Sequence, residues 1–213
     1  MTVAFIGLGM MGAPMAASLS RNGFKPRLFD ANPGAITSFL ESNHGVVCSS
    51  AAHAASGADM VITMLPDGKV VRDAVLSEPG GAAMGLNPGG IVVDMSSSSP
   101  VDTEELGKAL ATRGLGLIDA PVSGGVKRAI EGKLAIMAGG DPALVERCRP
   151  AFEAMGASLT LTGRLGSGHA WKALAMNTPL LSSEKDFCAA AEKAFGFRAD
   201  HTLVYKYVEQ QQS

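Results

Sequence analysis

Residues Val3 to Asn22 read VAFIGLGMMGAPMAASLSRN, and the order of elements in this stretch decides the fold. Val3 to Ile6 is a short, apolar, β-rich run; Gly7-Leu8-Gly9-Met10-Met11-Gly12 follows at once, then a helix-prone segment that closes at Gly23. A strand, a glycine turn and a helix in that order have a chemical use. The first glycine permits the tight turn, the second lets the backbone approach a pyrophosphate, and the third lets the helix pack on the strand. Gly7, Gly9 and Gly12 occupy those places, with Leu8, Met10 and Met11 completing the cradle. One of the two methionines is expected to pack inward. The helix beginning near Met10 then aims its free N–H groups and the positive end of its dipole at bound phosphates.

The alternation continues along the chain. Arg27 to Asp30 (RLFD), Val46 to Cys48, Asp59 to Leu65 and Gly90 to Met95 read as buried strands, separated by helical stretches at Pro33 to Asn43, Ser49 to Ser56 and Gly68 to Leu76. Pro100 to Arg113 opens like a helix and leads through LGLID to the glycine-rich APVSGG. Leu134 to Ala138 is one more strand, Asp141-Pro142 begins a helix ending near Gly156, and Ser158 to Leu161 is a last short strand. The predicted class is α/β: a doubly wound, Rossmann-type parallel sheet with right-handed crossovers. Residues 1–165 form the dinucleotide-binding domain. Residues 166–213 form an abbreviated helical segment, with a helix carrying Lys172, a second around Lys185 to Phe195, and a polar tail EQQQS expected to fray.

Asp30 ends the second strand, where a carboxylate can accept from a ribose 2′-hydroxyl and repel a 2′-phosphate. The residues after it, Ala31-Asn32-Pro33, include no arginine to hold such a phosphate, so NAD is favoured over NADP. The alternative for Asp30, a helix N-cap before Pro33, leaves that preference undefined.

Composition narrows the partners. Apolar residues make up 46% and charged residues 18%, with 26 glycines, which suits an α/β protein with many tight turns. The net charge of −2 is spread without like-charged blocks, which excludes the basic stripe needed for nucleic acid. Lys127, Arg128 and Lys133 read as a solvated face. Cys48, Cys148 and Cys188 form no CxxC pair and read as reduced, mostly buried thiols. His44, His53 and His201 lack partners at metal-ligand spacing, so no metal is expected. No Lys or Arg precedes the apolar start, the first positive charge being Arg21, and no run approaches the roughly 20 apolar residues of a membrane span. The expected location is cytoplasmic.

Five segments in order carry a family resemblance: GLGMMGAPMAASL, MLP (Met64 to Pro66), DMSSSSP (Asp94 to Pro100), DAPVSGGVKRAIEGKLAIMAGG (Asp119 to Gly140) and GSGHAWK (Gly166 to Lys172). Together they resemble the successive signatures of the β-hydroxyacid dehydrogenases. That resemblance implies an oxidoreductase that interconverts a small, carboxylate-bearing hydroxy acid and its semialdehyde or keto form. It implies that Leu65 and Pro66 wall the nicotinamide side, that Ser97 contacts the cofactor, and that Ser123, Gly124 and Gly125 hold the substrate carboxylate. A hydroxyl beside successive unhindered backbone N–H groups makes an anion-binding concavity, which agrees. The resemblance makes Lys172 the residue of proton transfer. A lysine near its ordinary value of about 10.4 is a poor base at neutral pH, so partial burial has to lower it. His169, three residues earlier on the same face, is read instead as a partly exposed helix-terminal histidine.

The sequence also departs from the family. The asparagine usual four residues after the lysine is Met176 here, and Asn177, one residue further, is turned by about 140° from Lys172 in a regular helix. The family's second domain is longer, and EKDFCAAAEKAFGF (Glu184 to Phe197) resembles a later part of it, which makes Lys185 the lysine that reaches back to the cofactor. Pro179 is expected to end or kink the Lys172 helix. The leading expectation is therefore an NAD-dependent dehydrogenase. Its rival is a catalytically impaired or inactive dinucleotide-binding paralogue, unless a homodimer supplies the missing wall. An imine-reducing relative shares the nucleotide signature but has no reason to keep both SGG and the lysine.

Overall fold

The computed structural model describes residues 1–177. Lys185, the helix expected around it, Pro179, Cys188, His201 and the EQQQS tail lie outside the described residues.

Strand β1 (Val3–Ile6) sits at the centre of the sheet, flanked by β2 (Arg27–Phe29) and β4 (Met60–Thr63). Strand β3 (Val46–Val47) adds outside β2, while β5 (Ile91–Asp94) and β6 (Gly116–Asp119) continue on the other side, giving six parallel strands in the order β3-β2-β1-β4-β5-β6. The central strands are buried along their whole length, because helices cover both faces. Alternation shows in how they divide. Val3, Phe5, Met60, Ile62, Ile91 and Val93 enter one apolar cluster, and Ala4, Ile6, Val61 and Val92 the other.

The first cluster packs beneath α1 (Gly12–Arg21) and α8 (Pro142–Met155), the second beneath α3 (Ala51–Ala55) and α4 (Gly68–Leu76). Helix starts follow their local signals. In α2 (Pro33–Leu40), α6 (Pro100–Ala111) and α8, proline occupies the first turn, and Asn32, Ser99 or Asp141 accepts from a backbone N–H just inside it.

The doubly wound, mostly parallel sheet is the one expected, and its parallel run stops at β6. Strand β8 (Leu134–Gly139) runs antiparallel to β6 and to the short β7 (Val122–Ser123), and β9 (Gly156–Gly163) pairs parallel to β8. The chain leaves β6, forms β7, turns through α7 (Gly125–Glu131) and re-enters as β8, which runs back along both β6 and β7. The APVSGG segment is thus a strand running into a helix rather than a plain turn. The four-residue α5 (Ala82–Gly85) was not anticipated. Helix α9 (Ser167–Asn177) follows β9 and packs on β8, β9, β6 and α6.

Candidate active site

The glycine turn is built by close approach. A Cβ on Gly12 would stand 1.8 Å from the Gly7 carbonyl oxygen, and one on Gly7, whose φ is +97°, would stand 2.3 Å from that of Met64. Neither position tolerates a side chain. Gly9 is different: nothing lies within 4 Å of where its Cβ would be, so its backbone borders open space. No side chain caps the start of α1 among the described residues, and no acidic residue lies in its first turn. The positive end of the dipole is therefore left without a side-chain cap beside that bare backbone, an arrangement suited to phosphate. Met10 is exposed and Met11 packs against the core, as expected of one of the pair.

The space beside the turn is a cavity of about 650 Å³, lined by Gly7, Gly9, Asp30, Asn32, Leu65 and Pro66 among others. Asp30 lies at the end of β2, and its carboxylate accepts from the backbone N–H of Leu8 at 2.6 Å and of Asn32 at 2.7 Å. It clamps the glycine turn to β2. The cap of α2 is Asn32, which accepts from Gly34, so Asp30 is not the N-cap. These residues fit a dinucleotide: a bare backbone approach, an uncapped helix start and a carboxylate at the end of the second strand.

A second group of side chains meets where β4, β5 and β6 end. Asp94, Asp119, Thr63, Ser96, Thr103 and His169 are all buried. Asp94 accepts from Thr63 Oγ1 at 3.0 Å, from the Ser96 N–H at 3.0 Å and from Ser98 Oγ at 2.6 Å. Ser96 Oγ accepts from the Leu65 N–H at 2.9 Å and so ties the wall of the first cavity to this cluster. Asp119 accepts from the backbone N–H of Gly166 at 2.7 Å and of His169 at 2.8 Å, which makes it the cap of α9. A Cβ on Gly168 would stand 2.9 Å from Asp119 Oδ2 and 2.4 Å from the Met137 carbonyl oxygen, so glycine lets the helix seat this closely. Burial pushes the Asp119 carboxyl above its ordinary value, opposed by the His169 ring and the two N–H donors.

His169 corrects the sequence reading. It is only 2% exposed, with Nδ1 at 2.8 Å from Thr103 Oγ1 and Nε2 at 3.2 Å from the Ser96 carbonyl oxygen. The helix N-terminus it occupies is pressed against the sheet edge, so helical position alone misjudged its exposure. One turn later Lys172 donates to Ser97 Oγ at 2.6 Å. Burial lowers the Lys172 pKa, with the Asp94 charge raising it in opposition. The partial burial expected of Lys172 is present.

The structure thus brings Gly7, Gly9, Asp30, Leu65 and Pro66 around one cavity and joins Lys172 to Ser97. Ser123, Gly124 and Gly125 stand exposed where β7 meets α7, both glycines with positive φ. Lys127 and Arg128 are exposed, in keeping with a solvated face. Among the described residues no group of three or more His, Cys, Asp or Glu side chains is placed to hold a metal. No helix there is long and apolar enough to cross a membrane. Cys48 and Cys148 are free and buried, and burial pushes the Cys148 thiol up to about 12. Sequence reasoning gave Asp94 and Asp119 no role. The signal was there: an aspartate closing an apolar strand and followed by serines or a glycine-rich turn marks a polar group at a buried strand end.

Residues 2–163 match the family described as the NAD binding domain of 6-phosphogluconate dehydrogenase. Over 172 residues the chain is 42% identical to a probable 3-hydroxyisobutyrate dehydrogenase of Mycobacterium tuberculosis, covering 80% of this chain and 56% of that one. Over 170 residues it is 39% identical to an NAD-dependent L-serine dehydrogenase of Pseudomonas aeruginosa, covering 80% and 56%. The chain spans just over half the length of these curated relatives. A solved structure of the Mycobacterium tuberculosis 3-hydroxyisobutyrate dehydrogenase with L-serine superposes with a TM-score of 0.74 at 35% identity, covering 92% of this chain and 71% of that one.

Proposed function

Because this chain belongs to the β-hydroxyacid dehydrogenase family, we propose that it interconverts a small β-hydroxy acid and its semialdehyde or keto form with NAD. The observation that carries the reading is the partly buried Lys172, whose ammonium donates to Ser97 Oγ at the carboxyl edge of a sheet that also bears the dinucleotide cradle. When bound, the cofactor supplies the nicotinamide that exchanges a hydride with the carbinol carbon.

The chain's own residues do the rest. As the alcohol is oxidised its hydroxyl proton has to leave, and a lysine whose ammonium form is disfavoured by burial is more often the neutral amine able to accept it than a solvated lysine is. In the reductive direction the same group returns the proton. Asp94 limits how far the ammonium is destabilised, so Lys172 stays able to cycle between both forms. Ser123, with the N–H groups of Gly124 and Gly125, takes the substrate carboxylate, supported by two positive-φ glycines in succession. Leu65 and Pro66 wall the cofactor pocket.

NAD is the cofactor we assign over NADP. Asp30 is held by two backbone donors beside the cavity, a carboxylate that accepts from ribose hydroxyls and repels a 2′-phosphate. We divide the chain at 165/166, between the end of β9 and the start of α9, and assign a homodimer. Buried, unreactive thiols support a reducing, cytoplasmic location.

Steady-state assays with a panel of 3-hydroxy acids and both cofactors test the reading. Lys172→Ala is expected to lower kcat by about 10²–10⁴-fold with dinucleotide binding retained; turnover unchanged in that variant overturns the assignment. A second reading, a dinucleotide-binding module without turnover, is favoured by Met176 standing where the family usually has an asparagine. Calorimetric NADH binding with no turnover of any substrate selects it.

A further inference from the structure

The His169 ring is buried and belongs to neither the cofactor cavity nor the proton-transfer pair. Its hydrogen bonds join three elements. The Ser96 carbonyl oxygen can only accept, so Nε2 carries the hydrogen and donates across 3.2 Å. Nδ1 then accepts from Thr103 Oγ1 at 2.8 Å, and the Ser99 carbonyl left behind is still supplied by the Thr103 N–H at 3.0 Å. Every polar atom in the arrangement is satisfied by one tautomer. The ring therefore ties α9 to the segment after β5 and to α6, while its own backbone N–H is held by Asp119 of β6.

Asp94 and Asp119 each bring a carboxylate oxygen to 3.7 Å from a ring nitrogen, Nε2 and Nδ1 respectively. Lys172 is the titratable group on the same helix. Helix α6 presents Thr103 to the ring, with Glu104 next to Gly166, and β8 and β9 contain no titratable side chain. The ring is thus gripped from β5, β6 and α6 at once. Three residues on, the helix points Lys172 at Ser97, which immediately follows the Ser96 that the ring holds.

We propose that His169 is a positioning residue: its ring clamps α9 to Ser96 and Thr103, and by doing so holds Lys172 against Ser97 in its half-buried place. The inference rests on the role given to Lys172 above, and its test separates the two. In the cofactor-free protein, the titration of the Lys172 side chain is followed by NMR in the wild type, His169→Leu and His169→Gln. The glutamine amide can donate to the Ser96 carbonyl and accept from Thr103, whereas leucine fills the space without either bond.

The expected result is that His169→Leu lets Lys172 loosen into solvent and its titration midpoint rises toward the ordinary lysine value, while His169→Gln stays near the wild type. In turnover, His169→Leu lowers kcat at least tenfold with NADH affinity within about twofold, and His169→Gln restores most of it. A Lys172 midpoint that does not move in His169→Leu overturns the clamp, whatever the activity, and so does a midpoint displaced equally by both variants. Should His169→Leu fail to fold, Thr103→Val removes the Nδ1 partner alone, and an unmoved Lys172 midpoint in that variant overturns the proposal. A moved midpoint without any turnover in the wild type leaves the clamp standing and sinks the dehydrogenase reading instead.

Discussion

Two helices, α1 and α9, begin at the carboxyl edge of the same sheet, and they treat their first turns in opposite ways. The start of α1 has no side-chain cap and opens onto the cavity past Gly9, whereas the start of α9 is closed by the buried Asp119, which takes the N–H groups of Gly166 and His169. An open first turn leaves donors and dipole for a ligand's phosphates; a closed one spends them on docking the helix. The first makes a binding site. The second fixes the place of whatever side chain comes one turn later, here Lys172.

Substitutions that exchange these behaviours test the contrast. Gly12→Ala should have the largest effect, since its Cβ would stand 1.8 Å from the Gly7 carbonyl oxygen and backbone has to give way. Urea unfolding of the cofactor-free protein is expected to show a loss of about 3 kcal/mol or more. Asp119→Ala opens the start of α9, stripping two backbone donors of their buried acceptor. A loss of about 2–3 kcal/mol is expected by the same measurement, and an unchanged unfolding midpoint would show that docking α9 contributes nothing to the fold.

Gly9→Ala should divide stability from binding. Nothing stands near its Cβ, so unfolding should shift by no more than about 0.5 kcal/mol. NADH affinity measured by calorimetry should nevertheless fall about tenfold, because the added methyl intrudes where the pyrophosphate approaches. A methyl there that leaves affinity untouched would mean that the open turn is not the phosphate site.

The smallest effect concerns pH. Lys172 has a folded-state pKa below its ordinary value of 10.5, so between the two values the unfolded chain binds more protons than the folded one. Stability therefore carries a penalty from the charged lysine below the folded value, and that penalty is relieved as pH rises through the window. Unfolding measured across the alkaline range should show this rise in the wild type and lack it in Lys172→Met.

How much of this was legible beforehand differs between the two helix starts. The turn before α1 is a local device: strand, glycines and helix are consecutive, and Asp30 closes the next strand in sequence. Its spacing therefore announces both structure and use. The start of α9 is non-local. Gly166 and Lys172 could be picked out by family resemblance, but the partners that cap and clamp the helix lie far away along the chain, 50 residues for the Asp119 bond and 73 for Ser96. Nothing in GSGHAWK says that its histidine is buried. The same limit explains β8, whose direction depends on how the β7–α7 return packs rather than on any residue of LAIMA.

By itself, then, the sequence determined the alternating α/β architecture, the dinucleotide turn and the carboxylate that closes the second strand at Asp30, because each is written in short spacings that backbone geometry enforces, and its family resemblance picked out the lysine worth testing. Tertiary structure alone decided that Asp94, Asp119 and His169 converge, that Lys172 is half-buried against Ser97, and that the sheet turns antiparallel after β6. Burial and long-range pairing depend on which surfaces meet, and a run of neighbouring residues does not carry that information.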